Sequence, residues 1–110
     1  MGITKTYGYS ETQLSLAAIA KAMAHPGRIA ILQQLMKNKE CQCGELAEHI
    51  GLAQSTVSQH LKELKQAGLI RGKIEGDKPC YCLSQVKTEE IEKFLDELKK
   101  ASEIQNKDCC

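Results

Sequence analysis

Gly51 constrains this chain more than any other single position. It separates two short segments, residues 44–50 and 54–67, each with helical apolar spacing, and only a sharp turn fits between them. A glycine there suits the left-handed backbone that closes a helix C-terminus. The second segment places Val57, Leu61 and Leu64 at i, i+4 and i+7, the pattern of a helix with one buried stripe, and Gly68 stops it. Two such helices bury little by themselves, but their geometry can present the second one outward, where it fits a DNA major groove. At about 100° per residue, Ser55, Gln59 and Lys62 point most directly away from the apolar stripe, flanked by Gln54, Thr56 and Ser58. Hydroxyls, amides and a lysine are side chains that read base edges and phosphates.

The flanking segments supply a scaffold and a hairpin. A helix is expected after Ser10, an acceptable N-cap, to about Ala24. His25-Pro26-Gly27 restarts the chain into a second helix to about Lys37, with Ile29, Leu32, Leu35 and Met36 on its apolar face. Residues 69–75 and 78–83 read as two strands joined at Gly76-Asp77. Ile70, Gly72 and Ile74 alternate with Arg71, Lys73 and Glu75, and Tyr81 and Leu83 with Cys80 and Cys82. That alternation makes Cys80 and Cys82 the more exposed pair of the return strand. A last helix over residues 88–104 carries Ile91, Phe94, Leu95 and Leu98, and more apolar surface than a peripheral helix of a small domain easily covers. Residues 1–10 are expected to be a flexible arm, 11–104 the folded domain and 105–110 a flexible tail holding Cys109 and Cys110. The fold class expected is mostly α with a small β-hairpin. A net charge of +1 hides a locally basic middle and an acidic last helix, a layout weakly in favour of DNA as partner.

Three runs then carry a resemblance: AMAHPGRIAILQQL, LAEHIGLAQSTVSQHLKELKQAGLI and GKIEGDKPCYCLS, which together span residues 22–84. They resemble the ArsR/SmtB family of metal- and metalloid-responsive repressors. The resemblance implies a winged helix-turn-helix that dimerises through its first and last helices, with Leu14, Ile91, Phe94, Leu95 and Leu98 at the interface. It implies a repressor that leaves its operator when an inducer binds. Double-stranded operator DNA and a second copy of the chain are the expected partners. On this alignment Gln54, Ser55, Thr56, Ser58, Gln59 and Lys62 lie on the recognition helix, and Arg71, Lys73 and Lys78 on the wing.

Six cysteines without a secretory signal read as reduced thiols in a cytoplasm, available to a metal or to redox chemistry. Cys41-Gln42-Cys43 lies just ahead of the first helix of the pair, where a thiol's pKa is lowered and the thiolate becomes ligand and nucleophile. Soft thiolates select As(III), Sb(III) or a soft divalent ion, and the GluCysGlnCysGlyGlu box resembles the family's metalloid-sensing box. Where the metalloid branch often has a third cysteine this chain has Leu46, so Cys109 and Cys110 are the candidates for completing the site. Cys80 and Cys82 read as small hairpin residues. The sulfurs of Cys41 and Cys43 are expected to diverge, so that an ion gripping both must bend the chain around Gln42. His25, His49 and His60 read as structural. No organic cofactor, membrane span or catalytic constellation is expected. A redox or persulfide switch on the same fold, and more distantly a thiol-rich metal carrier, are the competing functions.

Overall fold

A computed structural model describes residues 8–44 and 46–108. Helix α1 (Glu11–Met23) opens on Ser10, whose hydroxyl accepts from the Gln13 N–H while the Gln13 amide oxygen accepts from the Ser10 N–H. This reciprocal box satisfies two donors that a helix start otherwise orphans. Helix α2 (Pro26–Met36) begins with Pro26, which lacks an N–H where none is needed, and the His25 Nδ1 accepts from the Gly27 N–H at 2.9 Å. Its buried face is Ile31, Leu32 and Leu35; Ile29 is only half-buried and Met36 is 63% exposed, a correction to the expected face.

Strand β1 (Gln42–Cys43) leads into helix α3 (Leu46–Ile50), and Gly51 adopts φ 78° as a left-handed terminator should. Helix α4 (Gln54–Gln66) follows, then strands β2 (Ile70–Glu75) and β3 (Lys78–Leu83), and helix α5 (Gln85–Asp108). Ser84 caps α5, its hydroxyl accepting from the Lys87 N–H, so the helix starts three residues before the expected position 88. At the other end it runs to Asp108, into the residues expected as a tail; Cys109 and Cys110 lie outside the described residues, as do residues 1–7 of the expected arm. Among the described residues no helix is long and apolar enough to cross a membrane.

The sheet is antiparallel in the order β1-β3-β2. Its third strand, β1, was not anticipated, because two residues leave no alternation to detect. The core gathers Ile19, Ala22, Ile31, Leu32, Leu35, Leu46, Val57, Leu61, Leu64, Leu69 and Ile70, with Tyr81, Leu83 and Ile91 packed against it. Aliphatic side chains from four helices thus close over one face of the sheet. Burial ends part-way along β2: Ile70 is 1% exposed, whereas Ile74, expected on the same inward face, is 75% exposed near the hairpin turn. The hairpin projects beyond the helices that would cover it.

Candidate nucleic-acid interface and thiol cluster

Helix α4 turns Val57 and Leu64 fully inward and Leu61 nearly so, which fixes what the other side of the helix presents. Gln54, Ser55, Thr56, Ser58, Gln59 and Lys62 are all exposed. The Gln54 amide donates to the Ser58 hydroxyl at 3.3 Å, and the Gln59 amide to a Glu63 carboxylate oxygen at 3.3 Å. These exposed i, i+4 bonds hold the amides along the helix axis while leaving acceptor and donor capacity for a ligand. Glu63 in turn lies 4.0 Å from the Arg28 guanidinium, tying α4 to α2. At the same junction His60 is half-buried against His25, with ring centroids 4.6 Å apart. Burial holds the His60 imidazole below its ordinary pKa, and the neighbouring His25 and Arg28 push the same way.

The wing continues this surface. Arg71, Lys73 and Lys78 are exposed, with Arg71 and Lys73 on the sheet face opposite the core. Gly72 lies beneath the Lys65 side chain: a Cβ there would stand 3.3 Å from Lys65 Nζ and 3.3 Å from the Tyr81 ring. The absent side chain lets α4 and the wing pack closely.

The cysteines are arranged otherwise than expected. Cys43 pairs with Cys80 in the β1–β3 register, and disulfides join Cys43 to Cys80 and Cys41 to Cys82. The Cα separations, 4.1 and 4.5 Å, are those of non-hydrogen-bonded antiparallel pairs, the positions where opposing side chains stand closest. Residues i and i+2 of a strand share a face, so Cys41 and Cys43 do not diverge, and Cys80 and Cys82 meet them. That corrects the expectations of a bend around Gln42, of four reduced thiols and of Cys80 as an exposed hairpin residue: Cys80 is fully buried while Cys43 is exposed. The β2 neighbours of Cys80 and Cys82 in the ladder are Lys73 and Arg71. With these sulfurs paired, no group of three or more His, Cys, Asp or Glu among the described residues is arranged to hold a metal ion. Pattern reasoning on the hairpin alone missed Cys80 and Cys82; the repeated Cys-x-Cys spacing, at 41–43 and again at 80–82, was the signal that could have found them.

A polar helix standing off an apolar stripe beside a basic hairpin is the geometry of a winged helix-turn-helix, and residues 25–71 match the bacterial regulatory protein, arsR family. The chain belongs to that family. It is 36% identical over 83 residues to the HTH-type transcriptional regulator MJ1325 of Methanocaldococcus jannaschii, covering 74% of this chain and 92% of the relative. Among solved structures it is similar to HlyU from Vibrio cholerae, with 31% identity, a TM-score of 0.64, and 82% and 97% of the two chains covered. It is also similar to the cadmium metal-sensor CMTR of Mycobacterium tuberculosis, with 41% identity and a TM-score of 0.52 over 62% of this chain and 69% of that one. As an arsR-family protein the chain is a DNA-binding transcriptional regulator with the winged helix-turn-helix fold, and no catalytic family is indicated.

Proposed function

We propose that this protein is a cytoplasmic, homodimeric repressor that binds operator DNA in sequence-specific fashion and releases it when a soft thiophilic ion binds Cys41 and Cys43. The observation that carries the DNA part is the exposed polar face of α4, from Gln54 to Lys62, set rigidly by the buried Val57, Leu61 and Leu64. The dimer is supported by an apolar groove of 370 Å³ between α1 and α5, lined by Leu16, Ile19, Met23, Ile29, Ile91, Phe94 and Leu95 among others. Leu14 of α1 is half-buried, and Leu98 continues the apolar stripe of α5 at 56% exposure. A twofold axis through these helices would set two recognition helices about 34 Å apart, one turn of DNA.

The inducer part is supported by chemistry. In the reduced chain Cys41 and Cys43 share a sheet face with Cys80 and Cys82, a donor set of soft sulfurs suited to As(III), Sb(III) or a soft divalent ion. A third thiolate is therefore at hand on β3, without recourse to Cys109 or Cys110. Similarity to a cadmium sensor favours the same ligand class. The test uses fully reduced protein and a duplex selected from a randomised pool, with binding followed by fluorescence anisotropy. Arsenite or Cd²⁺ should weaken binding by on the order of 5- to 150-fold, the span of ordinary allosteric couplings. Cys41→Ser/Cys43→Ser should bind DNA as the parent does and ignore both ions; a full response in that variant refutes the inducer site.

A further inference from the structure

The paired sulfurs have a consequence of their own, because they join two parts of the molecule that face DNA. Cys43 stands three positions before Leu46, the buried first residue of α3, and α3 packs against the recognition helix. Cys80 and Cys82 belong to the wing. Without the disulfides β1 is a two-residue edge strand, held on β3 by a short ladder that ends at a 3.4 Å bond from the Gly44 N–H to the Pro79 carbonyl. We propose that Cys41, Cys43, Cys80 and Cys82 form a reversible two-disulfide latch, closed by a hydroperoxide, that fastens β1 and α3 to the wing and strengthens DNA binding. It rests on the DNA-binding part of the proposed function and is independent of the ion.

Two observations give the direction. The latched chain keeps an unbroken β2–β3 register from Ile70↔Leu83 to Glu75↔Lys78 and a packed core, so closure is compatible with the DNA-binding shape. Arg71 and Lys73 neighbour Cys82 and Cys80 on the same face. A disulfide fixes the strand beside those cations without adding any charge that would offset their pull on phosphate. Closing the latch holds the wing in place before DNA arrives, which lowers the ordering cost of binding.

The chemistry is balanced. The exposed Cys43 thiolate attacks one peroxide oxygen, the O–O bond breaks, and the departing hydroxide takes a proton to become water, leaving a sulfenic acid. The Cys80 thiolate attacks that sulfur; the S–S bond forms, the S–O bond breaks, and a second water leaves. Two thiols and one peroxide thus give one disulfide and two waters, with two electrons passing to the peroxide oxygens. A second peroxide closes Cys41–Cys82 in the same way, and a dithiol reopens each bond through a mixed disulfide.

The test starts from protein reduced with dithiothreitol, freed of reductant and treated with stoichiometric hydrogen peroxide. Peptide mapping after alkylation should recover the pairs 41–82 and 43–80, and fresh dithiothreitol should restore all four thiols. On the selected duplex the closed form should bind on the order of 5- to 150-fold more tightly than the open form, with the difference shrinking as salt rises. Cys41→Ser/Cys43→Ser, which can close neither bond and changes no fully buried residue, should lose this difference, with circular dichroism confirming that the fold is intact. Bonds that fail to form, form in other pairings or resist dithiothreitol overturn the latch, as does equal or weaker DNA binding by the closed protein. If neither form binds any duplex, the DNA-binding function falls, and with it the latch's effect, whereas failure of arsenite or Cd²⁺ to release DNA touches neither.

Discussion

His60 shows how a single side chain ties the recognition helix to the scaffold. Its ring lies on His25, whose Nδ1 is already engaged as an acceptor at the α2 start, and Arg28 adds positive charge nearby. A proton on His60 is therefore less welcome in the folded state than in the unfolded one, and the folded pKa lies below the ordinary 6.5. The sign follows from linkage: below the unfolded pKa the unfolded chain binds more protons, so the stability His60 contributes is present above pH 6.5 and is lost as pH falls through the folded value. Thermal unfolding followed from pH 7.5 down to 5.5 should show a falling Tm, and His60→Gln should flatten that dependence. An unchanged slope in the variant would place the titrating group elsewhere.

At the scale of elements, the proposed DNA contact divides into a reading helix and a charged wing. Gln59 sits on the outward face of α4, where an amide can make two bonds to one adenine. Gln59→Ala should cost on the order of 1–3 kcal/mol on the best duplex and relax preference at one position in each half-site. Lys78, exposed beside the hairpin turn, offers charge without geometry. Lys78→Ala should weaken binding to all duplexes alike and reduce the salt slope by about one charge's worth. Anisotropy titrations across a panel of duplexes and salt concentrations separate the two; the same pattern from both variants would undo the division between reading head and clamp. Helix α3 is only five residues long and depends on Leu46 and the adjoining β1 for its position, which makes thiol chemistry at Cys43 an effective place to disturb it.

For the whole molecule, α5 is the element that one chain cannot bury. It runs 24 residues, about 36 Å at the helical rise, and beyond Ile91 its apolar residues Phe94, Leu95, Leu98 and Ile104 are 44–66% exposed. Near its start it is anchored by Lys87, which donates to the Ser15 hydroxyl at 2.8 Å. A second copy laid across α1 and α5 would cover the remainder. Leu95→Glu with Leu98→Glu would place unpaired charges against that surface. The variant should sediment as a monomer with its far-ultraviolet circular dichroism intact, and should lose at least the avidity that two half-sites confer. A variant that still sediments as a dimer puts the interface elsewhere.

The local elements were legible in the sequence because local chemistry decides them. Ser10 as a cap, Pro26 at a first turn, Gly51 and Gly68 as terminators, and the Val57-Leu61-Leu64 stripe each act within a few residues, and the structure keeps all of them. So the polar residues that α4 exposes could be named one by one. What needed the tertiary structure was everything joined across a long stretch of chain. Strand β1 is too short to announce itself and exists because β3, some forty residues later, offers it an edge. That pairing placed Cys41 and Cys43 beside Cys82 and Cys80; the repeated Cys-x-Cys spacing is matched to it, but only the tertiary contact decides which sulfurs meet. The β2–β3 register separately sets Arg71 against Cys82 and Lys73 against Cys80. The exposure of Ile74 has the same origin, since alternation specifies which face a residue occupies but only the extent of the packed helices determines how far that face stays covered.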